Sequence, residues 1–119
     1  MENFEEIMRR KNIGLLGEQL APKLLNSKEI KHIWKKNFKK NQENHEKWDL
    51  INSEGIKIEV KTTLREAIFR VNSVSISVPE QRNQIVLKVL IEKNKIKKFK
   101  FVKFINGKWK DITSECLIS

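Results

Sequence analysis

The sequence predicts an α/β (α+β) domain: an N-terminal helix followed by a mixed β-sheet flanked by helices. Three observations carry that expectation. Apolar residues recur at helical spacing through the first quarter, at Phe4, Ile7 and Met8 and then at Leu15, Leu16, Leu20, Leu24 and Leu25. Residues 48–60 alternate apolar and polar side chains on either side of Ser53-Glu54-Gly55, the pattern of a two-stranded hairpin. Farther on, residues 85–91 form a β-rich run, and residues 99–105 turn at Asn106-Gly107 into residues 109–112.

Taken in order, the first helix carries Gly14 and Gly17, which mark either a break or a close approach by another element. Pro22 leaves the carbonyl of Glu18 without its usual helical donor, so a bend near Glu18 is expected. Residues 28–47 are lysine-rich, and Ile30, Ile33, Trp34 and Phe38 suggest a strand over 30–34 followed by a basic loop. After the hairpin, residues 68–72 and the alternation at Val74, Ile76 and Val78 read as extended segments. Pro79 is placed to open a short helix capped by Ser77 or Val78. The run 85–91 has the composition of a buried central strand. With no internal repeat and no flexible linker, residues 1–119 read as a single domain.

A chain of 119 residues can bury a core without disulfides or a structural metal. Cys116 is the only cysteine, which excludes a disulfide framework and a cysteine-based zinc site. The longest mostly apolar stretch, 85–91, is interrupted by Lys88 and is too short to span a bilayer. The first residues carry no basic segment followed by an apolar one, so a cytoplasmic location without membrane contact is expected. Lysine and arginine number 25 against 15 acidic residues, a net charge of +10. Such a field concentrates phosphates and makes their binding salt-dependent. The competing reading is a lysine excess that serves solubility alone, since Lys outnumbers Arg 20 to 5.

The most informative stretch is Trp48-Asp-Leu-Ile-Asn-Ser-Glu-Gly-Ile-Lys-Ile-Glu-Val-Lys-Thr63. A three-residue loop with Gly55 left-handed pairs Asn52 with Ile56, Leu50 with Ile58, Asp49 with Glu59 and Trp48 with Val60. Trp48, Leu50, Ile56, Ile58 and Val60 then share one apolar face, while Asp49, Glu59 and Lys61 share the other. Opposed Cβ atoms lie about 4.5–5.5 Å apart, a span one divalent ion bridges. Two adjacent carboxylates repel unless a cation neutralises them. A one-residue slip would bury the charges and expose the apolar set. An acidic residue two before a lysine arises by chance about 2.5 times in a chain of this composition, and Glu29-Ile-Lys31 is such a case. The weight therefore rests on the shared register, against the alternative of an ordinary solvent-facing hairpin with a cross-strand charge pair.

These residues resemble the PD-(D/E)XK nuclease superfamily, the fold of many restriction endonucleases and of archaeal Holliday junction resolvases. The pattern there is an acidic residue on the first helix, an Asp on one strand and Glu-x-Lys on the next. Here those positions are Glu18 in Gly14-Leu-Leu-Gly-Glu-Gln-Leu-Ala, Asp49 in Trp-Asp-Leu, and Glu59-Val-Lys61. The match covers residues 12–63, and it departs from the pattern in having no Pro before Asp49. The resemblance implies a restriction-endonuclease-like core and a Mg²⁺-dependent DNA endonuclease of DNA processing or defence, with Mn²⁺ as a substitute metal. The superfamily also contains junction resolvases and inactive DNA-binding relatives, which supply the alternatives.

The resemblance further implies roles. Asp49 and Glu59 would hold the metal, with the Val60 carbonyl as an added ligand. Lys61 would orient or deprotonate the attacking water, or stabilise charge on the phosphorane-like transition state. Glu18 would bind a second metal or a metal-bound water. Gln81 and Gln84 stand where related nucleases often carry a phosphate-contacting Gln. Read from the residues, Lys35, Lys36, Lys39 and Lys40 form a candidate phosphate-gripping loop, with a merely solvated run as the equal alternative. The Thr62 hydroxyl is a further candidate phosphate contact, against a strand role. His32 and His45 lack metal-ligand spacing, and Trp34, Trp48 and Trp109 read as packing residues first. So short a chain leaves sequence selectivity to a homodimer, to loops, or to partners in a larger DNA-processing complex.

Overall fold

The computed structural model describes residues 3–27, 30, 37–40, 50–76 and 84–117, with the backbone alone at 7 and 40. The elements run α1 (Phe4–Leu25), β1 (Lys39–Lys40), β2 (Leu50–Ile51), β3 (Lys57–Thr63), α2 (Glu66–Arg70), β4 (Ile85–Glu92), β5 (Lys95–Ile105), β6 (Lys108–Asp111) and α3 (Thr113–Cys116). Among the described residues, six strands lie side by side in chain order. Only β3 and β4 run parallel; the other neighbours are antiparallel. This is the mixed α/β architecture that the sequence predicts, with the helix first and the sheet after it.

Local chemistry explains the boundaries. Asn3 caps α1 by accepting from the Glu6 amide at 2.8 Å, and Glu5 and Glu6 place negative charge in the first turn. The helix is continuous through Gly14 and Gly17 and ends three residues after Pro22. Asn26 closes its C-terminal end. Its side-chain oxygen accepts from the amides of Asn37 and Phe38 at 2.9 and 3.0 Å, which ties the end of α1 to the approach to β1. In the β2–β3 hairpin Gly55 is left-handed at φ 81, as the turn requires. Buried Asn52 fixes the turn by accepting from the amides of Glu54 and Ile56 at 3.0 and 2.9 Å.

The hairpin register is the expected one: Leu50 pairs with Ile58, and the Asn52 amide donates to the Ile56 carbonyl. Alternation along β3 and the parallel register with β4 divide the sheet into two faces. One carries Ile58, Val60 and Thr62 beside Ile85, Leu87 and Val89, and continues to Phe101 on β5. Ala21 and Leu25 of α1 pack on this face, and together these apolar residues make the main core. The opposite face carries Glu59, Lys61 and Thr63 beside Val86, Lys88 and Leu90, then Val102, Lys100 and Lys98. The β5–β6 turn at Asn106-Gly107 has both residues left-handed, at φ 52 and 79, as the dipeptide predicts.

Several expectations need correction. Residues 68–70 are not extended: they belong to helix α2 (Glu66–Arg70), held from the sheet by lysines described below, and Val71 beyond it is extended. Lys39–Lys40 is a strand where a basic loop is expected, and Ile30 makes an isolated bridge to Leu117. The apolar spacing of α1 marks a helix, but not one buried along its length. Phe4, Met8 and Leu15 are exposed, and only the second half of the helix reaches the core. The tight β4–β5 turn at Lys93-Asn94 uses left-handed residues without glycine, at φ 54 and 61, and was not anticipated. The expected helix at Pro79, and the strand content at 31–34, lie outside the described residues.

Candidate functional site

Strand β3 brings Glu59 and Lys61 onto one face, two residues apart. Glu59 is only 7% exposed, and its Oε1 lies 3.7 Å from the Lys61 ammonium nitrogen. A carboxylate taken this far from water is costly to keep charged without a nearby cation. Lys61 supplies one. Its side chain remains 37% exposed, so it compensates Glu59 while reaching the surface.

Helix α1 approaches the other side of β3 at Gly17. A Cβ at that position would overlap Thr62 Oγ1 and stand 3.0 Å from both Cβ and Cγ2 of Thr62. The glycine thus permits the helix to sit directly against the strand, and its neighbour Glu18 is carried to the cleft beside β3. That cleft, about 560 Å³, lies between α1 and the end of β3 and is lined by Glu18, Lys61, Arg9, Arg10 and Arg65 among others. A second cavity of about 340 Å³ opens on the α2 side, lined by Lys61, Thr63, Ser73, Ser75 and Lys88. A wider hollow of about 750 Å³ beside Phe4, Met8 and Leu15 contains none of Glu18, Glu59 or Lys61.

The expected site residues are placed unevenly. Glu18 and Lys61 share the cleft, Glu59 pairs with Lys61, and buried Val60 lines the same cleft from β3. Asp49 lies outside the described residues, as do Lys35, Lys36, Gln81, both histidines, Trp34 and Trp48. The Lys40 side chain also lies outside them. Lys39 is exposed on β1 and lines neither cavity; β2 separates its strand from β3. Thr62 lines both cavities, yet its hydroxyl sits against Gly17, which makes it a packing contact. Gln84 precedes the Ile58–Ile85 pair and also lines neither cavity. Trp109 packs edge-on to Phe104 at 5.4 Å, in keeping with a packing role.

Carboxylates and a backbone carbonyl are oxygen donors of the type a hard cation takes, but Glu18 lines the cleft beside α1, whereas Glu59 lines neither cavity and stands on the other face of β3. The described residues fit such an ion by type rather than by number, because they contain no cluster of three acidic, histidine or cysteine side chains. The expected third acid is Asp49. The register that pairs Leu50 with Ile58 is the one from which the sequence expectation sets Asp49 opposite Glu59.

Two further lysines, missed as structural groups by sequence reading, shape the neighbouring wall. Lys88 is 4% exposed, and its ammonium donates to the carbonyls of Ile68, Val71 and Ser73 at 3.0, 2.5 and 3.3 Å. Lys100, paired with it across β4 and β5, donates to the Arg70 carbonyl and to Asn72 Oδ1, both at 2.9 Å. It also lies 5.1 Å from the centre of the Phe69 ring. Together they satisfy carbonyls at the C-terminal end of α2 that a short helix leaves open. The one available signal was a lysine inside an otherwise apolar strand run.

Burial, with the Lys100 cation alongside, pushes Lys88 from the ordinary 10.5 down to about 8. Burial likewise lowers Lys100. Between pH 8 and 10.5 the unfolded chain then binds a proton at Lys88 that the folded chain has released. The cost of burying this charge is full below pH 8 and is relieved as pH rises through that window. Wild-type stability should therefore gain on Lys88→Met between pH 8 and 10. Paired urea unfolding curves at several pH values read the difference; a gap independent of pH would refute it.

No family model, curated protein or solved structure matches the chain. The functional reading therefore rests on the geometry and chemistry of these residues.

Proposed function

We propose that the protein is a Mg²⁺-dependent DNA endonuclease with a restriction-endonuclease-like core, hydrolysing phosphodiester bonds. The observation that carries the reading is the pairing of buried Glu59 with partly exposed Lys61, beside a cleft that also takes Glu18 from α1. Glu59, Asp49 and the Val60 carbonyl would hold the ion, which when bound supplies Lewis-acid polarisation of a phosphate and a more acidic water. Lys61 acts on the reacting phosphate or its attacking water, since it is the cation of the set that reaches the cleft surface. Glu18 orients water from the opposite wall. The net charge of +10 supports a polyanionic substrate.

The test is incubation with supercoiled plasmid, linear duplex, single-stranded DNA, RNA and a four-way junction, each with Mg²⁺, Mn²⁺ or EDTA. Cleavage of DNA that EDTA abolishes supports the proposal. Symmetric cutting confined to the junction identifies a Holliday junction resolvase-like enzyme instead. Cutting of RNA with DNA spared moves the substrate class. DNA binding without cleavage under any metal identifies a non-catalytic module. Cross-linking or light scattering in the same buffers decides between a homodimer and a monomer that needs other subunits.

A further inference from the structure

Arginine is scarce in this chain, yet three of its five arginines line one cleft. Arg9 and Arg10 come from α1, and Arg65 comes from the connection between β3 and α2, so both walls are basic. The Arg65 backbone is fixed by its amide donating to Thr63 Oγ1 at 3.0 Å. With Lys61 the cleft carries four cations against two acids, Glu6 and Glu18. Lys61, Thr62, Thr63 and Ile68 also line the second cavity, so the two hollows meet at Lys61 as one groove. Beyond Lys61 that groove continues past the exposed residues Ser73 and Ser75.

Guanidinium groups present paired donors that match phosphate oxygens and stay charged at any working pH. A lysine field alone raises phosphate concentration without fixing a path. We infer that this groove binds a phosphodiester backbone, with Arg9, Arg10 and Arg65 gripping phosphates on the α1 side of the one at Lys61. The inference rests on the proposed activity for the position of the reacting phosphate. It assigns a grip to arginines scattered in the sequence, whereas Lys39, the described side chain of the lysine-rich segment, lines neither cavity.

Binding is measured by fluorescence anisotropy of a labelled DNA duplex in EDTA over a salt series, so that no cleavage contributes. Arg9→Ala/Arg65→Ala is expected to weaken binding about tenfold and to lower the salt slope by about two. Arg9→Lys/Arg65→Lys keeps the charge without the fork and should fall between that variant and wild type. Lys95→Ala/Lys110→Ala, which removes equal charge from exposed sites on β5 and β6, should change affinity less than about twofold. Equal losses in the two alanine pairs would overturn the inference, as would an unchanged arginine pair. Arg9 and Arg65 are both exposed, and matching thermal melts exclude loss of fold. Arginine-dependent binding by a protein that never cuts DNA would uphold the groove and defeat the nuclease activity. Metal-dependent cutting with arginine-independent binding and KM would do the reverse.

Discussion

Lys61→Ala is expected to lower DNA cleavage by about 10²–10⁴-fold while leaving duplex binding within about twofold. Lys61 is the group that touches both halves of the site: its ammonium stands 3.7 Å from Glu59 Oε1, and it lines the cleft that contains Glu18. The three arginines of the groove carry the grip on the backbone, so binding should survive the loss of Lys61. Removing it also takes one cation away from a nearly buried carboxylate. Because Lys61 is more than a third exposed, solvent discounts that term to on the order of 1 kcal/mol. A thermal melt of the variant therefore separates lost chemistry from lost fold. Lys61→Arg sharpens the reading, since it keeps a cation near Glu59 but resists deprotonation. An arginine variant that restores stability without restoring turnover points to proton transfer or exact placement, whereas full recovery points to charge alone. Asp49→Asn and Glu59→Gln should abolish metal-stimulated activity as well. Undiminished cutting by Lys61→Ala or by Asp49→Asn would refute the site assignment.

The parts of this fold that were legible in the sequence are those fixed by neighbours in the chain. The β2–β3 register could be read because one alternation, interrupted by a glycine that must be left-handed, serves both strands. The central strand β4 and the Asn106-Gly107 turn were legible for the same reason. Helix α2 was not. It is five residues long, has no side-chain cap at its N-terminus, and its C-terminal carbonyls are satisfied by Lys88 and Lys100 from strands later in the chain. Lys88 read as a blemish in an apolar run because its partners are set by the sheet, and local pattern carries no trace of them. The site shows the same division. Glu59 and Lys61 follow from period two, whereas the arginine cluster at Arg9, Arg10 and Arg65 required α1 to be laid against β3. A search for dense basic runs favours residues 35–40 and passes over cations that only tertiary structure gathers.

That placement of α1 yields the other large expected effect, a contrast between two glycines three residues apart on one helix. Gly17→Ala should destabilise the protein by about 1–3 kcal/mol, because the new Cβ would overlap the Thr62 side chain and neither helix nor strand can retreat without opening the core around Ala21 and Val60. Gly14→Ala should do the opposite. Nothing lies within 4 Å of a Cβ there, so the gain in helix propensity, about 0.5–1 kcal/mol, is unopposed. Denaturant unfolding of the two single variants reads both signs directly. Combining Gly17→Ala with Thr62→Ala removes the overlapping hydroxyl and methyl, although the Thr62 Cβ would still stand 3.0 Å away, so recovery should be partial. A double-mutant cycle with no coupling between positions 17 and 62 would show that the helix does not rest on the strand at this point. The consequence reaches function through the next residue. If Gly17→Ala pushes α1 outward, Glu18 moves away from Lys61, and turnover should fall further than the loss of folded protein explains, with Thr62→Ala returning activity and stability together.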